Sequence, residues 1–242
     1  MKGLLICHSF GLFTVMASFG QVTQPFDAHL LDQYPSYLES NWPFWKTKIK
    51  YQKLNDSIVS KKVIHNGEVG SETIFHLDSF GNVVMEVAFY GTKTDTVQSI
   101  LVYSKGQLIE KLTDNGLIEK YSGFTACGKP RQIHRNDSIF FPFKEVFEYN
   151  ELCQLTKSST WQWVNNNFLE STEAYAYNDF GDVLEVKRSF DPSLKFPISV
   201  TGGLILYENE RFEYRRGKYS FWTRKYRFAN GKRKLITKRK VL

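Results

Sequence analysis

What the chain lacks narrows its class before any motif is found. Beyond residue 20 no apolar run approaches the roughly 20 residues that a membrane-spanning helix needs, which excludes a helical span in the folded part. Signatures of catalysis are missing as well: there is no Gly-x-Ser-x-Gly elbow, no His-Glu-x-x-His zinc motif, no phosphate-binding glycine loop and no dinucleotide fingerprint. His29, His65, His76 and His134 include no two at ligand spacing, and each reads as a turn or surface residue. Glu145 and Glu148 form a carboxylate pair of the kind glycoside hydrolysis uses, but any β protein of this size carries such pairs. No catalytic residue, metal site or cofactor is therefore expected.

Cysteine is scarce too, with three in 242 residues. Cys7 lies in a segment of its own kind: residues 1–20 carry a single charge, Lys2, then an apolar stretch from Gly3 to Ala17, with small Ser18 and Gly20 before Gln21. That is the layout of a cleaved export signal, so residues 21–242 are expected to form a single domain in an exported protein. The alternatives are an uncleaved anchor, for which the stretch is short, and a lipoprotein through Cys7, which bulky Ile6 disfavours. Cys127 and Cys153 remain, and an oxidising compartment permits them one disulfide. Two buried free thiols are the other possibility, and spacing does not choose between them.

What is present is aromatic and alternating. With 42% apolar and 16% aromatic residues the chain is not disordered. From Phe26 to Ser40, Phe26, Leu30, Leu31, Tyr34 and Leu38 recur at helical spacing, which predicts a short helix that Pro35 interrupts. From Trp45 the period drops to two, with Thr47, Ile49 and Tyr51 between Lys46, Lys48 and Lys50, as in a half-buried strand. Asn66-Gly67 marks a tight hairpin turn. The aromatic cluster Trp42-Pro43-Phe44-Trp45 suits packing of the helix on the first strand, or stacking on sugar rings if exposed.

The turns repeat. Phe75-His76-Leu77-Asp78-Ser79-Phe80-Gly81-Asn82-Val83-Val84 parallels Ala176-Tyr177-Asn178-Asp179-Phe180-Gly181-Asp182-Val183-Leu184. Weaker copies surround Gly106, Cys153 and Gly231, and Gly128 and Asn209 are degenerate candidates, giving an interval near 25 residues. Each unit is then a hairpin plus a return connection, and hairpins bury a face only by pairing into one sheet. The expected fold is all-β: an antiparallel meander of hairpin repeats forming a curved sheet or partly closed barrel, with a short N-terminal helical segment. The two close copies resemble the YD repeat of Rhs-type surface and toxin-shell proteins, with Leu77 where Tyr is usual and Asn178 where Asp is usual. That resemblance implies exported β-hairpin architecture with a binding or structural role, and brings no catalytic residue.

Charge is uneven. Residues 211–242 hold thirteen Lys or Arg and a single acid, Glu213, while residues 21–210 hold 18 basic and 24 acidic residues. If the alternating aromatics of this tail face one side of the sheet, Arg224, Lys225, Arg227, Lys232, Arg233 and Lys234 present a cationic stripe on the other. The stripe would take acidic glycans or lipid headgroups, nucleic acid being less accessible to an exported protein. The plainer reading is that these cations shield edge strands. The expected function is a non-catalytic structural or interaction module at the cell envelope or outside the cell, with an envelope protein or acidic polymer as partner. A binder of acidic glycan or lipid headgroups is the alternative, and an envelope-polymer hydrolase a third.

Overall fold

The computed structural model describes residues 28–41, 47–90, 95–137, 143–164, 167–190, 195–200, 204–217 and 221–242. Residues 1–20, expected to be an export signal, and the Trp42–Trp45 cluster lie outside them. A six-residue helix, α1 (Ala28–Gln33), precedes eighteen strands among the described residues. They are β1 (Ser36–Asn41), β2 (Thr47–Asn55), β3 (Ile58–His65), β4 (Glu68–Leu77), β5 (Val83–Tyr90), β6 (Asp95–Ser104), β7 (Gln107–Thr113), β8 (Ile118–Ser122), β9 (Gln132–Arg135), β10 (Lys144–Tyr149), β11 (Leu155–Val164), β12 (Asn167–Tyr177), β13 (Val183–Phe190), β14 (Ile198–Val200), β15 (Leu204–Leu206), β16 (Asn209–Arg216), β17 (Trp222–Ala229) and β18 (Lys232–Val241). The helical pattern expected to reach Ser40 stops at Gln33, because Pro35 cannot continue it and Ser36 onward pairs as strand on both sides.

Sixteen of these strands form one closed antiparallel barrel, and β14 and β15 pair separately as a small ribbon between β13 and β16. The meander expected from the turns is thus complete. Closure is made by β1, which lies between β18 and β2: Tyr37 stands opposite Val241 on one side and Tyr51 on the other. The Leu242 N–H donates to the Ser36 carbonyl at 3.1 Å, joining the two ends of the barrel wall.

Turn chemistry dictates the hairpins. Asn66-Gly67, Lys105-Gly106 and Asn230-Gly231 are two-residue turns with positive φ at both positions, the geometry that matches strand twist. The longer turns share another design. The Asp78 carboxylate accepts from the backbone N–H groups of Phe80 and Asn82, both at 2.9 Å, and the Asn178 amide oxygen accepts from those of Phe180 and Asp182, both at 3.0 Å. Gly81, Gly128, Gly181 and, without glycine, Cys153 then take the left-handed conformation that reverses the chain. Asn209 is no such turn: it opens β16, since β15 pairs with β14 instead of β16.

Tyrosines tie successive hairpins together. The hydroxyls of Tyr103, Tyr149, Tyr177 and Tyr214 donate to the carbonyls of Val83, Pro130, Leu155 and Val183, at 3.0, 3.0, 2.8 and 2.9 Å. In each case the ring lies near the end of one strand and reaches the preceding hairpin. Burial alternates along the strands, as in Lys120, Tyr121 and Ser122 or Glu210, Arg211 and Phe212, so one face of the wall points inward. Its apolar part forms two clusters, one of Leu31, Tyr37, Tyr51, Val59, Phe75 and Val83, the other of Leu108, Tyr121, Ile133, Phe147 and Leu155.

Cys127 and Cys153 are joined by a disulfide with Cα atoms 6.5 Å apart, linking the β8–β9 connection to the β10–β11 turn. Closing a loop of 26 residues removes unfolded-state entropy, so replacing both cysteines by serine should cost about 3 kcal/mol, read as a lower urea midpoint under oxidising conditions. The turn at Asp78 generates a second test. The Asn82 side-chain amide, with the backbone N–H groups of Asn82, Phe80 and Gly81, holds the Asp78 carboxyl below its ordinary range. A depressed carboxylate adds stability above its unfolded value and loses it as pH falls, so Asp78→Asn should flatten the stability loss below roughly pH 4.

Candidate functional site

The inward face of the sixteen-strand wall buries charged side chains, Glu145, Glu210 and Arg227 among them. It carries aromatic rings as well as charge. Glu119, Arg135 and Glu145, on β8, β9 and β10, form a chain in which the Arg135 Nε donates to Glu119 at 2.6 Å and its Nη1 to Glu145 at 2.5 Å. On β12, β13, β16 and β17 a second chain runs Glu173, Arg188, Glu210 and Arg227, with contacts of 2.5, 3.1 and 3.1 Å. Lys111 meets Glu86 at 2.6 Å, and Arg239 meets Glu39 at 2.6 Å across the closing seam. The result is a belt of alternating charges around most of the interior, with Ser158 and Thr160 of β11 in the gap.

Strand register explains the belt. Glu119 stands opposite Arg135, which leads on to Glu145 one strand away, and Glu173 stands opposite Arg188. Cross-strand neighbours on one face sit about 5 Å apart, so opposite charges at these positions meet without reaching. Burial pushes the Glu119 carboxyl up, but Arg135, the Tyr121 hydroxyl and Lys111 outweigh it and hold the group below its ordinary value. For Glu145 burial wins over Arg135, and its carboxyl is raised.

Two inward lysines stand apart from this pairing. Lys61 has no carboxylate within ion-pair distance among the described residues, and burial lowers its ammonium while Glu86 and Glu39 oppose the shift. Lys225 rests its ammonium 4.2 Å from the centre of the Phe212 ring and 5.5 Å from that of Tyr214. Burial among these rings lowers its pKa to about 8, against the opposing pull of Glu210.

The cationic stripe expected on one face is divided between two. Lys225 and Arg227 point inward, Arg227 buried against Glu210, whereas Arg224 is exposed on the outer face. Arg233 lies outside, pairing with Glu213 at 2.7 Å and stacking 3.7 Å over the Tyr226 ring. Lys232 and Lys234 are exposed near the β17–β18 turn, Lys234 opposite Arg227. Alternation along β17 separates Arg224 from its neighbour Lys225, so the six residues do not form one surface. Glu145 and Glu148 are separated for the same reason: Glu145 is buried against Arg135, and exposed Glu148 pairs with Lys157 at 3.3 Å on the outside. Among the histidines, the His65 ring Nδ1 lies 2.8 Å from the Thr47 hydroxyl, and no three metal-ligating side chains converge among the described residues.

Sequence reading missed the belt. Its signal was there, in Glu and Arg at inward positions of strands whose neighbours are aromatic, but which strand lies beside which was not known. Three of the longer turns also expose a large apolar side chain at the same position, Phe80, Leu152 and Phe180.

Fold and interior together define a closed β-barrel with an ion-paired lining. Among solved structures, a porin-like protein from Bacteroides uniformis is similar, with a TM-score of 0.33 and 9% identity over 86% of this chain and 98% of that one. A likeness of that degree carries no argument about function. No protein family matches the chain, and no curated protein does.

Two outcomes follow from the belt. Arg135→Met strands two buried carboxylates and should cost about 3–5 kcal/mol at pH 7. The deficit should shrink on going to pH 5, because protonated carboxyls no longer need the cation, and urea midpoints at the two pH values read this directly. Lys225→Met should instead raise the stability at pH 7 by about 1 kcal/mol, read as a higher urea midpoint, since it removes an ammonium whose charged form the site disfavours.

Proposed function

We propose that the chain is an exported, non-catalytic structural or interaction module of the cell envelope or extracellular space, built of YD-like hairpins. The observation that carries this reading is the division of labour between the two faces of the wall. Inside, five of the cations are already held by carboxylates of the same molecule. Outside, strand centres carry Lys50, Lys62, Glu72, Lys120 and Lys187. A barrel that spans a bilayer shows an apolar outer band, and a Lys or Arg at the bilayer midplane costs roughly 2–4 kcal/mol. The outer face therefore works in water, and the solvated wall is the surface through which partners are met. No helix among the described residues is long and apolar enough to cross a membrane. The Cys127–Cys153 bridge supports an oxidising compartment.

Fractionation of the native protein tests export. The expected result is a mature chain beginning at Gln21, recovered outside the cytosol, with Cys127 and Cys153 protected from thiol alkylation until a reductant is added. Recovery of the full-length chain in the cytosol with both thiols reactive would overturn the reading. The alternative function, binding of an acidic polymer, is favoured by a separate feature of the outer face.

A further inference from the structure

Basic residues at strand edges usually serve to keep sheets from pairing with other chains. That purpose is missing here, because β16, β17 and β18 are each paired on both sides within a closed barrel. Their outward cations need another account. Register places Arg215 of β16 opposite Arg224 of β17, Arg224 opposite Lys238 of β18, Lys238 opposite Ser40 of β1, and Ser40 opposite Lys48 of β2. A second row beside it runs from Lys240 through Leu38 to Lys50. Arg215, Arg224, Lys238, Lys240 and Lys48 are exposed and Lys50 is half-buried. Other outer cations lie beside carboxylates, as in Lys62 with Glu72, Lys157 with Glu148 and Arg233 with Glu213. Within this seam Arg215 and Arg224 face each other directly, an arrangement of like charges that by itself destabilises a sheet. No carboxylate among the described residues lies within ion-pair distance of Arg215, Arg224, Lys48, Lys50 or Lys240.

We propose that the outer seam formed by Arg215, Arg224, Lys238, Lys240, Lys48 and Lys50 is a binding track for a linear acidic polysaccharide, whose carboxylates or sulfates bridge the facing cations. The inference rests on the reading of the barrel as an interaction module and names its ligand. Strands lie about 4.8 Å apart, so the row from Arg215 to Lys48 spans roughly 19 Å around a convex wall. A flexible chain can follow such a curve, while a flat bilayer touches it only along a line. The disulfide suits an oxidising compartment, in keeping with the export reading on which this inference rests. Tyr226, next to Arg224 on the same face, reports the local field: hydrogen bonding from Arg224 first, with the nearby charges of Arg224, Arg215 and Arg233, draws its phenol below the ordinary value. The track is assembled only by closure, since Lys48 and Lys50 come from the opposite end of the chain.

Binding of the mature protein to heparin and to polygalacturonate, measured by titration at several salt concentrations, tests the proposal. The triple variant Lys48→Gln, Arg224→Gln, Lys238→Gln should lose at least about tenfold in affinity, with a shallower salt dependence. The matched variant Lys120→Gln, Lys157→Gln, Lys187→Gln removes the same charge from other exposed outer positions and should lose less than about threefold. Both variants alter exposed side chains, and unchanged melting temperatures check that they fold. Equal losses in the two variants would overturn the track, as would the absence of binding to both glycans. Tighter binding to phosphatidylglycerol vesicles would assign the seam to a lipid surface, and tighter binding to oligothymidylate would assign it to nucleic acid, each overturning the glycan. These outcomes leave the fractionation result untouched, so the seam can fail while the export reading stands.

Discussion

The alternating ion-pair belt is the constraint on which the barrel depends. Charges turned to the inside of this wall are costly unless they find partners. Glu119, Arg135 and Glu145, and then Glu173, Arg188, Glu210 and Arg227, meet that requirement through strand register. A slip of one residue in any of these pairings would turn carboxylate and guanidinium to opposite faces, so the belt also guards register. The Arg239–Glu39 pair extends the same rule across the seam, where the first and last strands have no turn to align them.

Aromatic rings and turns cooperate with the belt. Capped turns at Asp78 and Asn178 fix where each hairpin reverses, and tyrosine hydroxyls from Tyr103, Tyr149, Tyr177 and Tyr214 fasten one hairpin to the one before. The aromatic content of the chain thus has a mechanical use: Tyr103 and Tyr149 offer an apolar body to an inner cluster and a polar tip to a backbone carbonyl. The disulfide adds a covalent link between two neighbouring connections.

Much of this was legible in advance because it is local. Period-two alternation, Asn-Gly pairs and the Asp78 and Asn178 motifs act over a few residues, and they announced strands, turns and an antiparallel meander. Asn209 misled, since a small polar residue near a strand start resembles a turn until the β14–β15 ribbon is seen to intervene. The C-terminal cations misled in a similar way. Counting them located the charge, but alternation along β17 sends Lys225 and Arg227 inward to the belt and Arg224 outward.

Closure is the decision that belongs to tertiary structure. Composition, turn chemistry and periodicity determined that the chain would be an aromatic, all-β succession of hairpins with excess positive charge at its end, because those properties depend on residues near one another in sequence. Which charges share a face, and which neighbours they meet, depended on β1 entering between β18 and β2. That insertion joins Glu39 to Arg239 inside and brings Lys48 and Lys50 beside Lys238 and Lys240 outside. Contacts such as Glu39 with Arg239, 200 positions apart, leave no local pattern in the sequence, since hydrogen bonding along a wall selects them only when the two ends of that wall come together.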